Sequence, residues 1–89
     1  MPDEKLARAL RAKQRRDILH LLRDDKKRTV QEIADLVHLS LTAASKHLRL
    51  LADYGILGME QDPPHKYYFL IMPEIKELVD LYDKIVQKM

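Results

Sequence analysis

The sequence predicts a mainly α-helical single domain over residues 1–89 with one small β-hairpin. Three observations carry this reading. Apolar residues recur at helical spacing from Glu4 to about Tyr54, the period drops from 3.6 to 2 after Gly55, and helical spacing returns from Pro73 onward.

Leu6, Ala9 and Leu10 are followed by Ile18, Leu19, Leu21 and Leu22, and the apolar face changes near Lys13 and Gln14, so two helices are expected between Glu4 and about Asp24. The polar run Asp24 to Arg28 reads as a connecting loop. In Thr29-Val30-Gln31-Glu32 the Thr hydroxyl can accept from the Glu32 amide while the Glu32 carboxylate returns to the Thr29 amide. A third helix therefore starts there, buries Val30, Ile33, Ala34 and Val37, and stops near His38. His38 suits the tight turn that follows, because histidine tolerates positive φ better than most residues.

Ser40 is the expected N-cap of a fourth helix over about 41–54, with Ala44, Leu48 and Leu51 as its buried stripe and Gly55 ending it in the left-handed conformation. Two helices joined by so short a turn must cross steeply, which is the helix-turn-helix geometry. Residues 57–71 then read as a hairpin, or wing, with a Pro-stiffened tip at Asp62-Pro63-Pro64-His65 and with Tyr68 and Leu70 turned inward. A final helix over about 73–88 opens with Pro73 in its first turn and carries Ile75, Leu78, Val79, Tyr82, Ile85, Val86 and Met89 on one stripe.

The order of helix, helix, helix-turn-helix, two-stranded wing and helix is that of a winged helix-turn-helix domain. Local sequence sharpens the reading. Arg16-Asp17-Ile18-Leu19-His20-Leu21-Leu22, Glu32-Ile33-Ala34, Leu39-Ser40 with Ser45-Lys46-His47-Leu48-Arg49-Leu50-Leu51, and Gly55-Ile56-Leu57 stand in sequence between Arg15 and Tyr68. Over that stretch the chain resembles the ArsR-type, arsenic- and metal-responsive, winged-helix repressors. The resemblance implies a homodimeric transcriptional regulator, a repressor, that puts its fourth helix into the major groove of double-stranded DNA.

On such a helix, with Ala44, Leu48 and Leu51 facing the core, Thr42, Ala43, Ser45, Lys46 and Arg49 lie on or beside the opposite face and His47 lies between the two. These six residues, with His65 and Lys66 on the wing, are the candidate DNA contacts. Lys46 and Arg49 can reach a phosphate or a guanine edge, whereas Leu41 and Ala43 can touch a thymine methyl but cannot hydrogen-bond a base. Glu60 and Asp62 oppose the positive charge of Lys66, so wing contacts should be poor.

Seven large apolar residues on the last helix exceed what a core this small can cover. Ile75, Leu78, Val79, Tyr82, Ile85 and Val86, with Leu6 and Leu10 of the first helix, are therefore the candidate dimer interface. A two-fold dimer would present two recognition helices about 34 Å apart, matching an inverted-repeat operator.

Charge is unevenly placed. The net charge is +2, yet residues 1–28 hold ten Lys or Arg against five Asp or Glu, and the remainder holds six against nine. Cysteine is absent, which excludes disulfides and thiolate metal sites. Where metal-responsive members carry a Cys-x-Cys pair, this chain reads Thr29-Val30-Gln31. Asp80 and Asp83 read as solvent-facing charge, and the histidines at 20, 38, 47 and 65 show no ligand spacing, so neither a metal nor a cofactor is expected. With only Gly55 and Gly58 there is no phosphate-binding glycine loop, and no catalytic set can be named. Met1 to Lys5 is acidic where a signal peptide would be basic and then apolar, and no apolar run approaches a membrane span, so a cytoplasmic location is expected. The alternative function is a winged-helix protein-interaction module without DNA binding, supported by the sparse charge on the wing and the apolar start of the recognition helix.

Overall fold

A computed structural model describes all residues from Met1 to Met89. Helices α1 (Pro2–Arg11) and α2 (Lys13–Leu21) are separated at Ala12, which is extended at φ −86° and ψ 128°. A short 3₁₀ turn over Leu22–Asp24 leads to strand β1 (Arg28–Thr29), followed by α3 (Val30–Leu36), α4 (Leu41–Asp53), β2 (Leu57–Asp62), β3 (His65–Leu70) and α5 (Glu74–Lys88). No helix is long and apolar enough to cross a membrane.

The caps form as their residue types require. Thr29 Oγ1 accepts from the Glu32 amide at 3.1 Å and Glu32 Oε1 accepts from the Thr29 amide at 2.9 Å, closing the capping box of α3. Ser40 Oγ accepts from the Ala43 amide at 3.1 Å at the start of α4. Both helices of the motif end in the same way. His38 (φ 60°) and Gly55 (φ 76°) turn left-handed, and the next amides, Leu39 and Ile56, donate back to the carbonyls of Ala34 and Leu51 at 2.9 and 3.0 Å.

The sheet departs from a bare hairpin. It has three antiparallel strands in the order β1-β3-β2, with Arg28 opposite Tyr68 and Thr29 opposite Tyr67. The polar run expected as an open loop is ordered by its own charges: the Asp24 carboxylate accepts from the Lys26 amide at 3.0 Å and from the Arg28 guanidinium at 2.9 and 2.6 Å. Asp25 closes the turn at φ 65°. Arg28 holds the Asp24 carboxyl well below the usual carboxylate range.

Between β2 and β3, Gly58 faces Phe69. A Cβ at Gly58 would stand 2.6 Å from the Phe69 ring, so the ring lies where only glycine leaves room. Tyr68 and Leu70 point into the core as expected. The core gathers Leu10 from α1, Ile18, Leu19 and Leu22 from the second segment, Ile33, Leu48 and Leu51 from the helix-turn-helix, and Ile75 and Val79 from α5. α4 is thereby clamped on its inner face, and its outer face is left to solvent.

Candidate nucleic-acid interface

Ala44, Leu48 and Leu51 are buried, which fixes the rotation of α4 about its own axis. Leu41, Thr42, Ser45, Lys46 and Arg49 consequently line one shallow hollow on its outer face. Lys46 and Arg49 also border an adjoining hollow with Arg8 of α1, Leu50, Asp53 and Tyr54. Neither Lys46 nor Arg49 takes part in a salt bridge, and neither does Arg8. Three cations from two helices thus face solvent with one carboxylate, Asp53, beside them. Arg8 was not among the sequence candidates, because its neighbourhood to Lys46 depends on how α1 packs, and no local spacing reports that.

The wing borders a separate hollow that shares Leu41 with the first. Pro64, His65 and Lys66 face Thr29, Val30 and Gln31 of the β1-α3 segment, with Leu41 between them. His65 and Lys66 are both exposed. Glu60 is occupied elsewhere: it receives the Lys27 ammonium at 3.0 Å, and Lys27 also lies 5.0 Å from the centre of the Phe69 ring. One of the two acidic residues expected to oppose Lys66 is therefore already neutralised.

Two of the helix candidates need correction. Ala43 is half-buried and borders neither hollow. His47 does not share the outer face: its ring is half-buried, and its Nδ1 accepts from Arg15 Nη1 at 3.3 Å. Burial first, then the Arg15 charge, pushes the His47 pKa below its ordinary value and so favours the neutral imidazole. Arg15 reaches further, donating through Nε to the Ala9 carbonyl at 3.1 Å and through Nη2 to the Arg8 carbonyl.

The proposed dimer residues also divide. Ile75 and Val79 are buried within the chain, and Leu10 is 5% exposed, so these three serve first as core; Leu10 is also the floor of a hollow between α1 and α5. Leu6, Leu78 and Tyr82 line that hollow, and Ala7 joins them. Ile85 and Val86 stand exposed on the C-terminal half of α5, together with Leu81, which is off the expected stripe.

Asp80 and Asp83 are not free solvent-facing charge. Asp80 accepts from both terminal nitrogens of Arg23 at 2.5 Å, and Asp83 accepts from Arg16 Nε at 3.0 Å and pairs with His20 Nε2. The Arg23 hydrogen bonds hold Asp80 low, and the His20 contact is the main cause of the depressed Asp83 pKa. These pairs join α2 and the 3₁₀ turn that follows it to α5, about sixty residues on in the chain, which is why spacing along either helix did not reveal them.

The helix-turn-helix domain family matches residues 12–60, from the link before α2 into β2 and more than half of the chain. This chain belongs to the helix-turn-helix domain family. Solved structures extend the match to the whole winged helix-turn-helix. The solution structure of a homodimeric winged helix-turn-helix DNA-binding domain (fragment 1–100), Mb0332 of Mycobacterium bovis, a possible ArsR-family transcriptional regulator, is 25% identical with a TM-score of 0.80, covering 98% of this chain and 80% of that one. HlyU of Vibrio cholerae is 26% identical with a TM-score of 0.78, over 94% of this chain and 90% of that one. The transcriptional repressor PagR of Bacillus anthracis, 21% identical, shares the fold with a TM-score of 0.75 over 91% of this chain and 92% of that one. A search of the curated proteins finds no match. The ArsR-type winged-helix fold read from the residues is borne out.

Proposed function

We propose that this winged helix-turn-helix binds double-stranded DNA as a homodimeric transcriptional regulator, a repressor acting at an inverted-repeat operator. One observation carries the reading: Lys46 and Arg49 stand unpaired on the outer face of α4, beside Thr42 and Ser45, in the element that enters the major groove in this fold. Lys46 and Arg49 contact a guanine edge or phosphates, Thr42 and Ser45 contact bases or phosphates, and Lys66 and His65 contact the backbone from the wing. Arg8 adds a phosphate contact from α1. The work is binding and needs no catalytic step, and it places the chain with its DNA in the cytoplasm.

Dimerisation rests on the hollow between α1 and α5 and on Ile85 and Val86 beyond it, which are 52% and 47% exposed in the single chain. Large apolar side chains clustered on one surface are the mark of a covered face. The Mycobacterium bovis neighbour is itself described as homodimeric.

The test is a double substitution, Lys46→Ala with Arg49→Ala. Binding to an operator selected from a random duplex pool should be abolished while the melting temperature and oligomeric state stay unchanged, and the wild-type affinity should fall steeply with salt as condensed counterions are released. Absence of wild-type binding to any duplex at low salt would favour the protein-interaction module instead.

A further inference from the structure

Leu41 occupies an unusual place. It is the first residue of α4, it is 51% exposed, and it belongs to no part of the core. It borders both hollows that flank the tip of the recognition helix, one with Thr42, Ser45, Lys46 and Arg49, the other with Val30 and the wing residues Pro64, His65 and Lys66. In the first of these it is the one apolar side chain. A lone exposed leucine needs no explanation by itself, since folded surfaces are full of apolar atoms. Its position does, because the N-terminal turn of a recognition helix is the part that meets base edges.

The major groove offers one apolar feature, the C5 methyl of thymine; every other edge there presents hydrogen-bond donors or acceptors. A leucine laid over a guanine, adenine or cytosine edge strips water from those groups and returns no hydrogen bond, which is unfavourable. Over a thymine methyl it removes apolar surface from water on both sides. Two neighbours could make such a contact: Ala43 is half-buried and outside both hollows, and Thr42, which shares the first hollow with Leu41, carries one methyl beside a hydroxyl that can bond a base or phosphate instead. We infer that Leu41 is a specificity-determining residue that reads a thymine methyl group in each operator half-site, next to the bases reached by Lys46 and Arg49. This rests on the DNA-binding reading above.

The experiment replaces each thymine of a selected half-site, one at a time, with deoxyuridine, which lacks only the methyl. Wild-type affinity should fall about fourfold per half-site at one position, the effect of exposing one methyl-sized apolar group. At that position Leu41→Ala should bind more weakly than wild type to the thymine duplex and no longer distinguish thymine from uracil, while its melting temperature is unchanged. Leu41→Gln should move the preferred base there toward adenine, whose N6 and N7 it can bond. Wild-type binding with no uracil-sensitive position, or a sensitivity that survives Leu41→Ala, overturns this inference and leaves the proposed function standing. If the wild-type chain binds no duplex at all, both fall.

Discussion

Arg15 Nη1 donates to His47 Nδ1 across 3.3 Å, and the same guanidinium holds the Ala9 carbonyl at 3.1 Å. An arginine has only donors, so Nδ1 must accept and the ring proton sits on Nε2. The end of α1, the start of α2 and the middle of the recognition helix are thereby joined by one side chain. The helix that lines the α1-α5 hollow is thus tied to the helix that carries Lys46 and Arg49.

This coupling predicts a pH dependence with a definite sign. The folded state lowers the His47 pKa from its ordinary 6.5, so the unfolded chain takes up the proton first as pH falls. Stability is full above about pH 6.5 and declines between there and the lowered folded value. Melting at pH 7.5 and 5.5 should show a larger loss for wild type than for His47→Gln. Asp24, Glu32, Asp80 and Asp83 are all held low, by Arg28, the Thr29 amide, Arg23 and His20 in turn, so their contribution is present above about pH 4 and is lost only as pH falls further.

Ser40→Ala removes the acceptor for the Ala43 amide. A loss of about 1 kcal/mol is expected in urea unfolding, with operator affinity weakened as the first turn of α4 frays. An unchanged unfolding midpoint would mean that the cap contributes nothing.

Gly58→Ala should destabilise the wing by about 1–3 kcal/mol, because the new Cβ must displace the Phe69 ring at 2.6 Å and the Ile71 methyl at 2.9 Å. Hydrogen exchange should locate the faster opening in β2 and β3. Exchange confined to the helices would argue against this packing.

Ion pairs on α2 should matter unequally with burial. Arg16 is only 12% exposed and its planar head lies 4.8 Å from the centre of the Tyr82 ring, so Asp83→Ala leaves a sheltered cation short of its partner and should cost about 1.5–3 kcal/mol. Asp17→Ala, which breaks the exposed Lys13 pair, should change stability by less than about 0.5 kcal/mol. Equal losses in denaturant unfolding would contradict the distinction.

Core and interface on α5 can be separated in the same way. Ile75→Ala should cost about 2–5 kcal/mol, as for a filled core position. Ile85→Glu with Val86→Glu should leave the helical circular dichroism intact and convert the proposed dimer to monomer in sedimentation, weakening operator binding with it. A double variant that remains dimeric would place the interface elsewhere.

What could be read from the residues was local. The capping box at Thr29, the Ser40 cap, the left-handed His38 and Gly55, and the inward Tyr68 and Leu70 each depend on neighbours a few positions away, and all stand where spacing put them. The outer face of α4 followed from the same rule, since burying Ala44, Leu48 and Leu51 leaves Thr42, Ser45, Lys46 and Arg49 outside. His47, on the boundary between faces, could not be assigned from its own helix. Its orientation depended on Arg15, thirty-two residues away.

The chain by itself thus determined the order of its elements and which side of each is apolar, because helix and strand periods are set by the backbone within a few residues. Only the packed molecule decided that β1 joins the wing, that Asp80 and Asp83 bind Arg23 and Arg16, that Ile75 and Val79 are spent on the core, and that Arg8 stands beside Lys46. Each of these is a contact between segments far apart in sequence, and such contacts arise from how surfaces fit in three dimensions, which no periodicity encodes.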